Sequence, residues 1–407
     1  MPTDPLLTVE QALEQILART RPLETEIVDV TSALGRILAE PVVSRREIPP
    51  WANSSMDGYA LRARDTREGP AELHVVGRVA AGAVITGAIG PGQAVRIFTG
   101  APLPEGADAV VPQEDVEVAG DRVRVPGHVR EAAFVRSAGE DVRRGDHVLS
   151  AGRRLGAAEI GLLASLGHTP VRVHRRPRVA ILSTGDELAD LGTEPGPGQI
   201  PNSNTYSLMA QVSEAGAIAL NLGIAHDRLD SIEERLNAGR EADVLLSSAG
   251  VSVGELDMVR EALARSGAEL HLWRVSMRPG KPITFGSWGP RLVFGLPGNP
   301  VSAMVTFELF VRPALLRMSG ATTLQRPRLV ARARSPIANP GARRGYLRVR
   351  LTRRDDGFEA ELTGEQGSAI LSSMTLADGL AVVPEDTVIA AGEVVDVILL
   401  RGLEHVT

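Results

Sequence analysis

The hydrophobic positions change their period several times along the chain, and each change predicts a different kind of element. Val9, Leu13, Ile16 and Leu17 recur at helical spacing behind Thr8 and Gln11, which predicts a helix opened by a capping box. A second short helix is expected over 31–39, ending before Pro41. From about 46 to 140 the pattern shifts to short β-type runs, LHVVGRVA (73–80), AVRIFTG (94–100) and DAVVPQEDVEV (108–118), separated by Gly/Pro turns. Helical spacing returns at 157–166. The β-rich stretch therefore reads as a module inserted between two helical pieces.

From 178 to 320, apolar runs alternate with helical patterns. VAIL (179–182), IALNLGI (218–224) and DVLLSS (243–248) are each followed by a helix, near 204–216, 230–239 and 257–266. A strand near 269–275 and LVFG (292–295) follow, and the latter leads into a long amphipathic helix starting at Asn299. Strands alternating with helices predict βαβ units and a doubly wound, parallel α/β sheet. After 327 the chain alternates again, in RLVARAR (328–334) and YLRVRL (346–351), so a closing β-domain is expected. No solenoid-type repeat or low-complexity tail stands out.

Composition narrows the function classes. A length of 407 residues suggests two to four domains, and 43% apolar residues suffice for real cores. Aromatics are only 3%, so those cores must be aliphatic. A formal charge of −6 argues against a nucleic-acid binder held by bulk electrostatics. With no cysteine, disulfides, thiolate metal sites and a cysteine nucleophile are excluded, and any metal must be held by oxygens or histidines. The first thirty residues lack a signal-peptide pattern and no apolar run is long enough to span a bilayer, so a cytoplasmic location without membrane contact is expected.

In an open α/β sheet, ligands bind beyond the carboxyl ends of the strands. The segments there are STGDEL (183–188), AHD (225–227), SSAGVSVGELD (247–257), RPGKP (278–282) and GLPGNPVSA (295–303). All are small, polar or Gly-rich, as backbone amides need in order to close on an anion. Asn299 could cap the following helix and aim its positive end into the same space. Asp186, Glu187, Asp227 and Asp257 add acidic oxygens, which suits Mg²⁺ bridging carboxylates to phosphate. Lys281 is the only lysine among 44 basic residues. A compact ammonium on a narrow stem reaches an oxyanion in a tight loop, between Pro279 and Pro282, where a planar guanidinium does not fit.

Eight stretches in order together resemble the molybdopterin molybdenumtransferase (MoeA-type) family, whose plant and animal relatives are fused to a second enzyme. They are PPWANSSMDGYAL (49–61), FTGAPLPEGADAVVPQED (98–115), GED (139–141), STGDEL, SNTY (203–206), SAGVSVGELD, RPGKP and GLPGNPVSAMV. Ala249 departs from the family's usual glycine and Arg278 from a frequent lysine. The resemblance implies an elongated domain from 1–45 and 140–177, a β-rich insertion at 46–139, a molybdopterin-binding α/β domain at 178–326 and a β-barrel at 327–407. It also implies a homodimer whose cleft joins the α/β domain of one subunit to the insertion of the other. The implied reaction inserts molybdate into adenylylated molybdopterin and releases AMP with Mg²⁺. The molybdopterin adenylyltransferase and acceptor molybdoenzymes are implied protein partners. Tungstate in place of molybdate stays open.

Carried onto this sequence, the resemblance places Asp57, Thr99 and Asp141 in the shared cleft with Glu187. Asp227 and Asp257 go to the Mg²⁺–phosphate region, although Asp257 also suits a helix N-cap. Ser183, Asp186, Gly250 and Ser252, with Pro297, Asn299 and Pro300, line the cofactor loops. Molybdate is assigned to Lys281, Pro282, Ser302, Arg348 and Ser368, since a tetrahedral dianion needs positive charge and short donors. Residues 326–354 hold ten arginines and no acid. Alternating Arg on strands usually faces solvent, so only Arg348, spaced four residues from Arg344, is taken to the site. His226 and His271 lack ligand spacing and read as structural or surface residues. Two rivals fit less well: a molybdopterin adenylyltransferase, typically a single domain, and a non-catalytic scaffold, which would not need the carboxylates.

Overall fold

The computed structural model describes residues 6–83, 87–248 and 258–406. Helix α1 (Val9–Arg19) opens with the expected capping box: the Thr8 side chain accepts from Gln11 N–H, and the Gln11 side chain accepts from Thr8 N–H. Its Val9, Ala12 and Ile16 pack on the central core. The helix expected over 31–39 is absent. Only a 3₁₀ turn, Val30–Ser32, forms there, because Gly35 takes a left-handed φ of 75° and the chain then runs along 153–155 and 172–174.

The insertion is a six-stranded sheet of β1 (Gly58–Leu61), β2 (Ala71–Val79), β3 (Gln93–Ile97), β4 (Ala109–Pro112), β5 (Glu117–Ala119) and β6 (Arg122–Val125), in the order β4-β1-β3-β2-β6-β5. Two apolar clusters, around Tyr59, Leu61 and Leu73 and around Val79, Val95 and Ile97, fill its two faces. The chain then returns through α2 (Ala157–Ser165), and Val171–His174 pairs with Thr25–Val28.

The central layer comprises β7 (Arg178–Thr184), α3 (Ser203–Glu214), β8 (Ile218–Ala225), α4 (Leu229–Ala238), β9 (Val244–Ser248), α5 (Met258–Arg265), β10 (Glu269–Arg274), β11 (Pro282–Trp288) and β12 (Arg291–Leu296). Val179 and Ile181 face α3 and the helices that follow β12, whereas Ala180 and Leu182 face α4 and α5. With both faces covered, β7 from Val179 onward and all of β9 are buried at every position rather than alternating, as a doubly wound sheet requires. The strand order is β8-β7-β9-β12-β11-β10. Five strands are parallel, and β11 alone runs the other way, between β12 and β10. The sequence pattern did not reveal β11, because the Pro279-Gly280 turn just before it reads as a loop.

After β12, helix α6 (Pro300–Thr306) passes through a π turn (Phe307–Val311) into α7 (Arg312–Met318). The barrel follows: β13 (Arg328–Ala333), β14 (Arg344–Arg354), β15 (Gly357–Leu362), β16 (Gly379–Val383) and β17 (Val394–Leu399). Strand β14 pairs with both β15 and β16, and β13 with both β15 and β17. Because β16 also pairs with β17, the five strands close on themselves. A short strand, Met277–Arg278, leaves the central layer and adds in parallel to the start of β14. Among the described residues, no helix is long and apolar enough to cross a membrane.

Candidate active site

The parallel strands β7, β8, β9, β10 and β12 present their carboxyl ends at one edge, and antiparallel β11 presents its start there. Lys281, one residue before β11, therefore shares that edge with Asp186, Glu187 and Asp227. Arg274 pairs with Pro282, and Val275 N–H donates to the Lys281 carbonyl at 2.9 Å, which closes the 275–281 excursion. Counting strands from β8 to β11 gives four spacings, roughly 19 Å at about 4.8 Å each. The site is therefore a long row of loops with an acidic end and a basic end.

At the acidic end, Asp186 and Glu187 follow β7 and Asp227 follows β8. Burial, and next the charges of Asp186 and Glu187, push the Asp227 carboxyl above its ordinary range. The Asp186 carboxyl is pulled below its range, chiefly by His226, whose Nδ1 lies 2.9 Å from Asp186 Oδ1. His226 is exposed, as the sequence suggested, but the sequence gave it no such partner. Ser183 is fully buried; its Oγ lies 2.7 Å from Thr205 Oγ1 and 3.3 Å from Asn202 Oδ1, so it locks the start of α3. Asn204, which the sequence reading quoted within SNTY but gave no role, donates from Nδ2 to Ser248 Oγ at 2.9 Å and to the Gly298 carbonyl at 2.6 Å. It thereby ties the ends of β9 and β12 together. Gly250, Ser252 and Asp257 lie outside the described residues. Among the described residues, no three His, Asp or Glu side chains are grouped to hold a metal by themselves.

The basic end is assembled by the barrel. Arg348, on β14, is fully buried, with 0% exposure. Its Nε donates to Ser373 Oγ at 3.0 Å and its Nη2 to the Gly367 carbonyl at 3.1 Å, while Nη1 has no partner. Gln366 brackets the same residue, its Oε1 accepting from Arg348 N–H at 2.8 Å. Burial, and then the positive charge of Arg278, lower the Arg348 guanidinium to about 10. Among the described residues, this is a buried cation with a free nitrogen, a second cation beside it and no carboxylate, an arrangement an anion completes.

The same segment reaches the sheet edge. Ser368 Oγ accepts from Asn299 Nδ2 at 3.1 Å, and the Ser368 carbonyl accepts from Val301 N–H at 3.1 Å. Asn299 occupies the N-cap position of α6, but its side chain makes no capping bond because it is spent on Ser368. Pro297 lies in the preceding loop, Pro300 takes the first helical turn and Ser302 is buried within it. Lys281 is half-buried, and its ammonium has no carboxylate partner among the described residues. The neighbouring Gly280 has φ 98°, and an added Cβ would lie 2.5 Å from Thr306 Oγ1, so the loop sits tight on α6. Arg344, the other half of the spaced arginine pair, bonds instead to Glu10 on α1.

The structure also brings Asp57 and Thr99 together, on the insertion. Asp57 Oδ1 accepts from Thr99 N–H and Oγ1, each at 2.8 Å, and these two bonds hold its carboxyl below the usual range. Asp141 is exposed, its N–H bonded to the Ile48 carbonyl at 2.9 Å in the segment that re-enters from the insertion.

Three family models cover nearly the whole chain: the MoeA N-terminal region (domains I and II) over 7–167, a probable molybdopterin binding domain over 180–317, and the MoeA C-terminal region (domain IV) over 330–400. The chain belongs to the MoeA family. It is 40% identical over 389 residues to the molybdopterin molybdenumtransferase of a Nostoc species, covering 93% of this chain and 89% of that protein. It is 37% identical to molybdopterin molybdenumtransferase 1 of Mycobacterium tuberculosis, over 92% of this chain and 94% of the relative. The solved molybdopterin biosynthesis MoeA protein of Pyrococcus horikoshii OT3 superposes with a TM-score of 0.84 at 30% identity, covering 97% of this chain and all of the other. The likeness to the Pyrococcus structure spans the whole architecture, insertion and barrel included.

Proposed function

We propose that this chain is a molybdopterin molybdenumtransferase that inserts molybdate into adenylylated molybdopterin, with Mg²⁺-dependent release of AMP. The observation that carries this reading is Arg348: a buried guanidinium with a free nitrogen, beside Arg278 and with no carboxylate, at the basic end of the same row of loops as Lys281. Molybdate fits there as a tetrahedral dianion, with Lys281, the Pro282 backbone, Ser302 and Ser368 around it. A pterin joined through a pyrophosphate to adenosine is long enough to run from that end to the carboxylates roughly four strands away.

Asp186, Glu187 and Asp227 offer the hard oxygen donors that Mg²⁺ takes, and the crowding that raises Asp227 is relieved by a cation. Bound there with Asp257, Mg²⁺ would offset charge building on the oxygens of the breaking phosphoanhydride. Gly250, Ser252, Pro297, Asn299 and Pro300 line the loops that close on pterin and phosphate. Asp57, Thr99 and Asp141 are assigned to the cleft as contributions of a second subunit of a homodimer, a reading that the insertion's own separate core allows. The domain limits 1–45 with 140–177, 46–139, 178–326 and 327–407, a cytoplasmic location and docking to the adenylyltransferase and acceptor molybdoenzymes complete the reading.

The test is an assay with purified protein, adenylylated molybdopterin, molybdate and Mg²⁺. Coupled release of AMP and appearance of active cofactor supports the proposal. Transfer of AMP from ATP onto molybdopterin would instead identify an adenylyltransferase.

A further inference from the structure

A second cationic hollow lies away from the loops described above, where α7 meets the end of barrel strand β17. It is an open space of about 500 Å³ bordered by Glu214, Arg312, Arg326, Leu400, Arg401 and Gly402. Arg326 on this border is held by Glu308, in the π turn, whose side chain is only 4% exposed. Both Glu308 oxygens are committed: Oε2 accepts from Arg326 Nε at 2.7 Å, and Oε1 accepts from Arg326 Nη2 at 3.1 Å and Gln211 Nε2 at 3.0 Å. Arg326 Nη1 also donates to the Leu400 carbonyl at 2.9 Å.

Arg312 is left poorly served. Its side chain is 14% exposed, and its closest carboxylate oxygen, Glu308 Oε2, is 3.9 Å away and already used. Its one hydrogen bond among the described residues, Nη1 to the Leu324 carbonyl, spans 3.5 Å. Burial, and next the charge of Arg326, hold this guanidinium below the ordinary arginine range, and Arg154 adds further positive charge. Arg401 projects at the mouth, with Nη2 bonded to the Thr375 carbonyl at 2.8 Å. Glu214 stands on the rim, 65% exposed and 3.5 Å from Arg326, and the Glu404 carboxylate folds back against Gly402. Arg312 is thus left, in a partly desolvated hollow, as a guanidinium with no close carboxylate of its own among the described residues.

We propose that this hollow is a binding site for a tetrahedral oxyanion of the phosphate, sulfate or molybdate class, held between Arg312 and Arg401. A forked guanidinium matches two oxygens of such an anion, and the under-paired Arg312 supplies the attraction. Bound there, the anion would bridge α7 of the central layer to the end of β17 and so fasten the barrel to the sheet. This site is separate from Lys281 and Arg348, so the proposal does not depend on the reading of the reaction.

The experiment titrates the full-length protein with sodium phosphate, sulfate and molybdate in turn, against chloride at matched ionic strength. Binding is read by calorimetry and by the melting temperature. The wild type should show a saturable rise in melting temperature with at least one oxyanion, and the ranking of the three identifies the source. Arg312→Gln should abolish the response, and the exposed Arg401→Ala should weaken it about tenfold. Neither change should move the KM for molybdate in cofactor synthesis. If Arg312→Gln fails to fold, Arg401→Ala decides alone. No saturable response in the wild type, or an unchanged response in Arg401→Ala, would overturn the proposal.

Discussion

At the scale of single residues, Arg348 offers the means to tell a ligand-binding arginine from a structural one. A guanidinium that belongs to a buried ion pair costs about 3–5 kcal/mol to remove, because its carboxylate is stranded. Arg348 has no carboxylate partner among the described residues, so Arg348→Met should cost only about 1–3 kcal/mol of stability, for the Ser373 hydroxyl and Gly367 carbonyl it leaves, while weakening molybdate use at least tenfold. Thermal melts and molybdate-dependent cofactor synthesis read the two effects separately, and a large drop in melting temperature would mark the residue as structural. Lys281→Arg keeps the charge but places a wider group in a loop held tight against α6 at Gly280. It should lower cofactor synthesis about tenfold at limiting molybdate. Equal activity at limiting molybdate would show that the lone lysine carries no special fit.

Among elements, the insertion shows why a motif glycine need not mean a turn. Gly58 lies inside β1, and a Cβ there would come within 1.9 Å of the Val111 carbonyl. The glycine permits close packing of β1 on β4, while the adjacent Asp57 is freed to meet Thr99. Gly58→Ala should therefore destabilise the protein by about 2–3 kcal/mol in a denaturant melt, and a neutral result would refute the packing argument. The central layer was legible in the sequence because both faces of its strands are covered, so VAIL and DVLLSS stand out as apolar runs. Strand β11 was not, since its start doubles as the Lys281 loop and its direction is set by the pairing of Arg274 with Pro282. The helix expected over 31–39 failed for a related reason: pairing of Ile37 with Arg154 and of Leu38 with Val173, far along the same chain, overrode local propensity. Asn299 was placed correctly at the head of α6, but its side chain turns to Ser368, a contact between residues 69 apart that no local pattern encodes. The loops of the candidate site were found because Gly and small polar residues after strands are a local signal. Ser373, Gln366 and the Asp186 partner of His226 depend on tertiary contacts and left no such trace.

For the whole molecule, the acidic and basic ends of the row lie on the central layer and barrel, whereas Asp57 and Thr99 lie on the insertion. If the working cleft is shared between two subunits, two inactive variants can repair each other. Mixing Asp57→Asn chains with Lys281→Ala chains should then restore about a quarter of wild-type activity, since half of the randomly formed dimers are mixed and each has one intact site. No recovery on mixing would place the whole site within one subunit. The most direct test of the central claim is a crystal of the protein soaked with molybdate and examined for anomalous scattering from molybdenum. The account predicts a peak within hydrogen-bonding reach of Lys281 and of the free Arg348 nitrogen. A peak confined to the Arg312 hollow, with none beside Lys281, would contradict it.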